Sequence, residues 1–129
     1  MRTANLLALL LMMAGLGSKA SALPVGYDWH QYGEHYYSLS VTYGNWLDIE
    51  AEAESQKGYL VSINDAAENA WLDSVFGGLP LYIGLRQLPG SAEPKGGWTW
   101  ISGEALTYTN WDSNQPDNFT GQDNHGMIN

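Results

Sequence analysis

Between Asp112 and Asp123 the chain reads DSNQPDNFTGQD, a stretch in which carboxylates and side-chain amides are interleaved with turn-forming residues. These are hard oxygen donors, suited to a cation such as calcium, which takes roughly six to eight oxygens at about 2.3 to 2.6 Å when a loop makes them converge. The same composition also describes an ordinary polar surface loop, because Asn, Asp and Gly are common turn formers. Other chemistry has less to stand on. His30, His35 and His125 lack the spacing of a zinc site. The acidic pairs Glu50/Glu54 and Asp48/Glu52 fall on a helical pattern that also carries Trp46 and Ile49, so a solvated helix face explains them better than an acid and a base. The chain has no Gly-x-Ser-x-Gly turn, no cysteine nucleophile and no phosphate loop. Enzymatic activity is therefore not expected.

The elements that would hold this loop follow from periodicity. His35 to Thr42 alternates aromatic or β-branched residues with smaller ones, as an early strand does. Asn45 precedes Trp46, Ile49 and Ala53 at helical spacing, and Asp48 completes a capping box. A helix from about Trp46 to Gln56 is predicted, with Glu50, Glu52 and Glu54 turned mostly to solvent and Gly58 as its stop. Tyr59 to Ile63 reads as extended. Asp65 and Glu68 repeat the capping pattern before a second helix whose apolar face is expected at Ala67, Trp71 and Val75 and which ends at Gly77-Gly78. Leu81 to Leu85 reads as a buried strand, followed by a loop rich in Pro and Gly and by the aromatic anchors Trp98, Trp100, Tyr108 and Trp111. The expected fold class is α+β, with two helices packed on short antiparallel strands and long loops. Trp46, Leu60, Ile63, Trp71, Ile83, Leu85, Trp98 and Trp100 are expected to share one core.

Composition narrows the function further. The 129 residues include 14 Asp or Glu and 5 Lys or Arg, a formal charge of -9, with 6 Trp, 8 Tyr and no Cys. A chain this acidic cannot supply the clustered cations that phosphate contacts need, so nucleic acid is not an expected partner. Residues 1–22 read as a secretory signal: Arg2 is the positive start, Leu6 to Gly17 the apolar stretch, and Ala20-Ser21-Ala22 a small-x-small cleavage site. A membrane anchor is the competing reading, but the apolar run is shorter than the roughly 20 residues that span a bilayer. Cleavage after Ala22 would leave an exported chain without a transmembrane segment, secreted or held in a bacterial envelope. Without disulfides, aromatic packing or bound metal must stabilise it.

Trp46, Ala53, Gly58-Tyr59-Leu60-Val61-Ser62-Ile63, Glu68, Tyr82-Ile83-Gly84-Leu85, Gly97-Trp98-Thr99-Trp100, Gly103, Tyr108, Asn110-Trp111 and Gln115-Pro116-Asp117-Asn118 stand in a characteristic order and spacing. In this the chain resembles the C-type lectin domain, from about Tyr32 to the end. Residues 23–31 are then a short lead and residues 32–129 the domain. The resemblance implies that this domain is incomplete, its last strands and a Trp-Asn-Asp segment lying beyond Asn129. The family's usual cysteines fall on Ala53 and His125.

The resemblance also assigns roles in the loop. It implies a cis peptide before Pro116, calcium as the cofactor, and Gln115, Asp117 and Asp123 as both metal-binding and carbohydrate-binding residues, with further ligands from the Trp-Asn-Asp segment. Gln-Pro-Asp implies glycans of the galactose type as partners. Glu93-Pro94-Lys95 is similar to the family's other sugar motif but precedes Trp98, and is read as a turn. The competing functions are a calcium-independent module of the same fold that binds protein or builds extracellular matrix, and an exported hydrolase with an unusual acid pair.

Overall fold

Both helices begin where their caps predict. The computed structural model describes residues 7–13 and 23–128. The Asn45 side chain accepts the Asp48 amide at 3.0 Å and donates its own amide to the Asp48 carboxylate at 2.6 Å, starting α1 (Trp46–Ser55). The Asp65 carboxylate accepts the Glu68 amide at 2.7 Å at the head of α2 (Ala66–Phe76). The strands are β1 (Leu7–Met13), β2 (His30–Tyr32), β3 (His35–Leu39), β4 (Tyr59–Leu60), β5 (Leu81–Gln87), β6 (Trp98–Trp100) and β7 (His125–Ile128). They form one sheet ordered β2-β3-β1-β5-β6, with β4 on β1 and β7 on β5. The result is α+β, with antiparallel pairing except between β1 and β5. β1 comes from the segment expected to be a leader.

The expected single core is divided in two. Alternation along β5 sends Leu81, Ile83 and Leu85 into a cluster with Tyr37, Val61, Ile63, Leu72, Phe76 and Trp100. Trp46, Ile49, Ala53 and Leu60 form a second cluster, against which Tyr82 packs. The Trp46 indole N–H donates to the Ile83 carbonyl at 2.8 Å and ties α1 to β5. A Cβ on Gly84 would lie 2.5 Å from the Leu60 carbonyl oxygen and 3.0 Å from that of Val61, so only glycine lets this chain segment cross β5 so closely. Trp71 and Trp98 lie half-buried at the margin of the first cluster.

Three sequence expectations need correction. Glu50 is buried and its carboxylate accepts the Leu60 amide at 3.0 Å, while Glu52 accepts the amides of Val41 at 2.9 Å and Thr42 at 3.1 Å and the Tyr27 hydroxyl at 3.0 Å. These carboxylates satisfy backbone donors of neighbouring segments, which an amphipathic pattern cannot reveal. The buried face of α2 runs through Glu68, Leu72 and Phe76, because Glu68 is drawn inward by the Tyr37 hydroxyl at 2.6 Å and the Asn64 amide at 2.8 Å. Ala67 and Val75 are exposed.

Candidate functional site

The loop after Trp111 is anchored at both ends. At its start, Trp111 meets Trp98 edge to face at 5.0 Å between ring centroids. Trp98 is itself fixed by donating its indole N–H to the Pro94 carbonyl at 3.0 Å, and Gln87 spans the same turn by donating to the Gly96 carbonyl at 2.9 Å. The Glu93-Pro94 segment therefore buttresses the hairpin between β5 and β6, in keeping with its reading as a turn. At its end, the Gln87 amide donates to the Asn124 carbonyl at 2.9 Å and β7 joins β5. His125, the first residue of β7, stacks on Trp46 at 4.4 Å. Burial and the nearby Arg86 charge push its imidazole below the usual pKa, so the ring is neutral at physiological pH.

Between these anchors the backbone is turned by short side-chain bonds. Asp112 accepts the Ser113 amide at 2.8 Å and Asp117 accepts the Phe119 amide at 3.1 Å. Asn118 accepts the Asp123 amide at 3.2 Å. The Asp123 carboxylate accepts the Thr120 amide at 2.8 Å on one oxygen and the Thr120 hydroxyl at 2.6 Å on the other. The Gln115–Pro116 peptide is cis, and Pro116 is buried between the exposed Gln115 and Asp117.

Gln115, Asp117 and Asp123 all line one groove of about 1060 Å³ between the loop, β7 and α2. Asp73, from α2, and Asp112 add two more carboxylates, and no Lys or Arg lines the groove. Its field therefore favours a cation. Among the described residues no three His, Asp or Glu come together as a metal cage. The donor set of Gln115, Asp117 and Asp123 fits a hard cation in chemistry, although calcium takes more oxygens than these three side chains offer. Asp123 retains lone pairs beyond its bonds to Thr120, since a carboxylate offers about four acceptor positions.

Sequence reasoning missed Asn69 and Asp73, which face the loop from α2. They stand four apart on one helix face, a spacing visible in the sequence, but only packing sets that face opposite Trp111 and Asp117. It also missed the loop-shaping roles of Asn118 and Thr120. Phe119, the aromatic residue of this loop, is 90% exposed on the groove wall.

The model of the Lectin C-type domain family matches residues 42–125. Among curated relatives, the chain is 29% identical over 123 residues to Lectin BRA-3 of Megabalanus rosa, a match covering 94% of this chain and 73% of that protein. It is 30% identical over 97 residues to a perlucin-like protein of Mytilus galloprovincialis, covering 74% and 62% respectively. It is 37% identical over 86 residues to C-type mannose receptor 2 of Mus musculus, covering 65% of this chain but only 6% of the receptor. No solved structure matches significantly. Among the described residues no helix is long and apolar enough to cross a membrane.

Proposed function

Since the chain belongs to the C-type lectin domain family, we propose that it is a secreted, non-enzymatic module that binds carbohydrate through calcium, with a preference for galactose-type sugars. One observation carries the reading: Gln115, Asp117 and Asp123 lie on the wall of a single groove whose charged lining, apart from a neutral His125, is entirely acidic. In this reading the three side chains hold the ion. A bound calcium ion supplies coordination positions that two neighbouring sugar hydroxyls take from water. The protein's own groups then set the specificity. The Asp117 carboxylate can only accept hydrogen bonds, whereas the Gln115 amide also donates. Exchanging amide and carboxylate across Pro116 reverses donor and acceptor sides, and so changes which pair of hydroxyls is satisfied. A polar group left unpaired costs about 1 to 3 kcal/mol, roughly tenfold or more in affinity. Phe119 offers a ring to the apolar face of galactose.

Secretion is supported by Arg2, the apolar run to Gly17 and the Ala20-Ser21-Ala22 site. A calcium-independent, protein-binding module of the same fold is the second reading, favoured by the fact that both Asp123 oxygens already accept from Thr120. Passing the protein over immobilised galactose and mannose, with calcium or with chelator, separates the two. For the domain completed with its Trp-Asn-Asp segment, calcium-dependent retention on galactose is expected, and the Gln115→Glu, Asp117→Asn double variant should move to mannose. Retention of the unmodified protein on mannose alone overturns the galactose assignment. Chelator without effect on retention or melting leaves the calcium-independent reading.

A further inference from the structure

The loop that carries the proposed sugar site also carries Asn118-Phe119-Thr120, the one complete Asn-x-Ser/Thr sequence in the chain. With no proline in the middle, this is the acceptor pattern for an N-linked glycan in exported chains. The leader read in residues 1–22 would bring the chain to a compartment where such glycans are added. The residues around the acceptor suit the modification, since Asp117, Phe119 and Thr120 are exposed and Asn118 is half-buried.

The bonds of the folded loop divide the Asn118 side chain in two. Its backbone has a φ of 51°, in the left-handed region that Asn tolerates better than most residues. Its side-chain oxygen accepts the Asp123 amide at 3.2 Å, whereas its side-chain nitrogen bonds to none of the described residues and is not buried. An N-linked glycan bonds to that nitrogen and leaves the oxygen an acceptor, so the loop can keep its shape with the glycan in place. Thr120 is different: its hydroxyl donates to the Asp123 carboxylate at 2.6 Å. A transferase that reads this hydroxyl must therefore meet the chain before the loop closes. Asn118 stands between two residues that line the groove, Asp117 and Phe119. A bulky, hydrated oligosaccharide rooted there takes the space beside both of them.

We propose that Asn118 is an N-glycosylation site and that its glycan closes the groove to other sugars, so that modified and unmodified chains are the closed and open forms of the site. Closure rests on the calcium-dependent sugar reading above; the modification itself does not. The donor is an oligosaccharide on a lipid diphosphate. The Asn118 Nδ2 bonds to C1 of the first sugar as the C1–O bond to the diphosphate breaks; the diphosphate leaves with that electron pair and Nδ2 gives up one proton.

The test expresses the full chain with its own leader in a eukaryotic secretory host and reads its intact mass before and after an amidase that removes N-linked glycans. Secreted and cell-retained protein are both read, so a variant that folds poorly still reports. The expected mass exceeds that of the chain by one oligosaccharide, which the amidase removes. Asn118→Gln and Thr120→Ala should lack it, and Thr120→Ser, which keeps the hydroxyl, should retain it. A chain of unmodified mass overturns the proposal, as does a glycan that survives Asn118→Gln. For the domain completed with its Trp-Asn-Asp segment, the glycosylated and amidase-treated forms are then passed over immobilised galactose in calcium. The treated form is expected to be retained and the glycosylated form to bind roughly tenfold or more weakly. Equal retention of the two overturns closure and leaves the sugar reading standing. Retention of neither overturns the sugar reading and closure with it, while the mass still decides the modification.

Discussion

Replacing Glu50 by Gln should stabilise the domain at high pH and leave it unchanged at low pH. Glu50 is 5% exposed, with one carboxylate oxygen on the Leu60 amide at 3.0 Å and the other without a hydrogen-bond partner. Burial pushes its pKa from 4.5 up to about 7, with a contribution from the Glu54 charge, against the Leu60 bond and the Arg86 charge, which pull it down. The folded-state value is raised, so the protonated form is favoured by folding. The stability that form contributes is fully present below pH 4.5 and is lost as pH rises through about 7. The difference converts, at about 1.36 kcal/mol per pH unit, to about 3 kcal/mol, little reduced by solvent at this depth. Gln keeps an oxygen for the Leu60 amide and never ionises. At pH 8.5 Glu50→Gln should therefore raise the melting temperature by roughly 10 °C, since 1 kcal/mol moves a domain of this size by about 3 to 5 °C. At pH 4 the two proteins should melt together. Melts from pH 4 to 9 check this, because the difference between the two curves isolates the Glu50 contribution. A difference that stays flat with pH, or a variant less stable at pH 8.5, refutes the reasoning.

Other expectations can be checked by the same melts. Ile83→Ala should cost about 2 to 5 kcal/mol, because it opens a cavity in the cluster that β5 shares with Leu72 and Phe76 of α2; if it and Trp98→Ala are both silent, the proposed packing is wrong. Gly84→Ala should destabilise by several °C, since its Cβ meets the backbone oxygens of Leu60 and Val61, which cannot move aside as a side-chain end would. Tyr37→Phe should cost about 1 to 3 kcal/mol by leaving Glu68 short of a donor inside the core, and Tyr37→Phe with Glu68→Gln should recover part of that loss in a double-mutant cycle. Asp117→Ala should abolish calcium-dependent retention on sugar while leaving the melting temperature in chelator within about 1 °C, because Asp117 is exposed and its bond closes only a local turn.

The amino-acid sequence determined the local parts of this protein because their causes are local. Asn45 with Asp48 and Asp65 with Glu68 start the helices through bonds three residues long, and Gly77 ends the second of them, whatever surrounds it. The run from Leu81 marks a central strand by its apolar density, and the spaced Trp, Gly and Gln-Pro-Asp motifs identify the family. Tertiary structure decided whatever depends on a partner far along the chain. Glu50 and Glu68 look like helix-surface carboxylates until Leu60, Tyr37 and Asn64 bring donors to them. Leu7–Met13, which the sequence marks only as part of an apolar leader, is paired with β3, β4 and β5, all far along the chain. Gln115, Asp117 and Asp123 were legible as oxygen donors, but Asp73 and Asn69 enter the same groove only through the docking of α2 against the loop. Chain propensity acts over a few residues, whereas the pairing of backbone edges and the burial of charge are settled by contacts that no window of sequence contains.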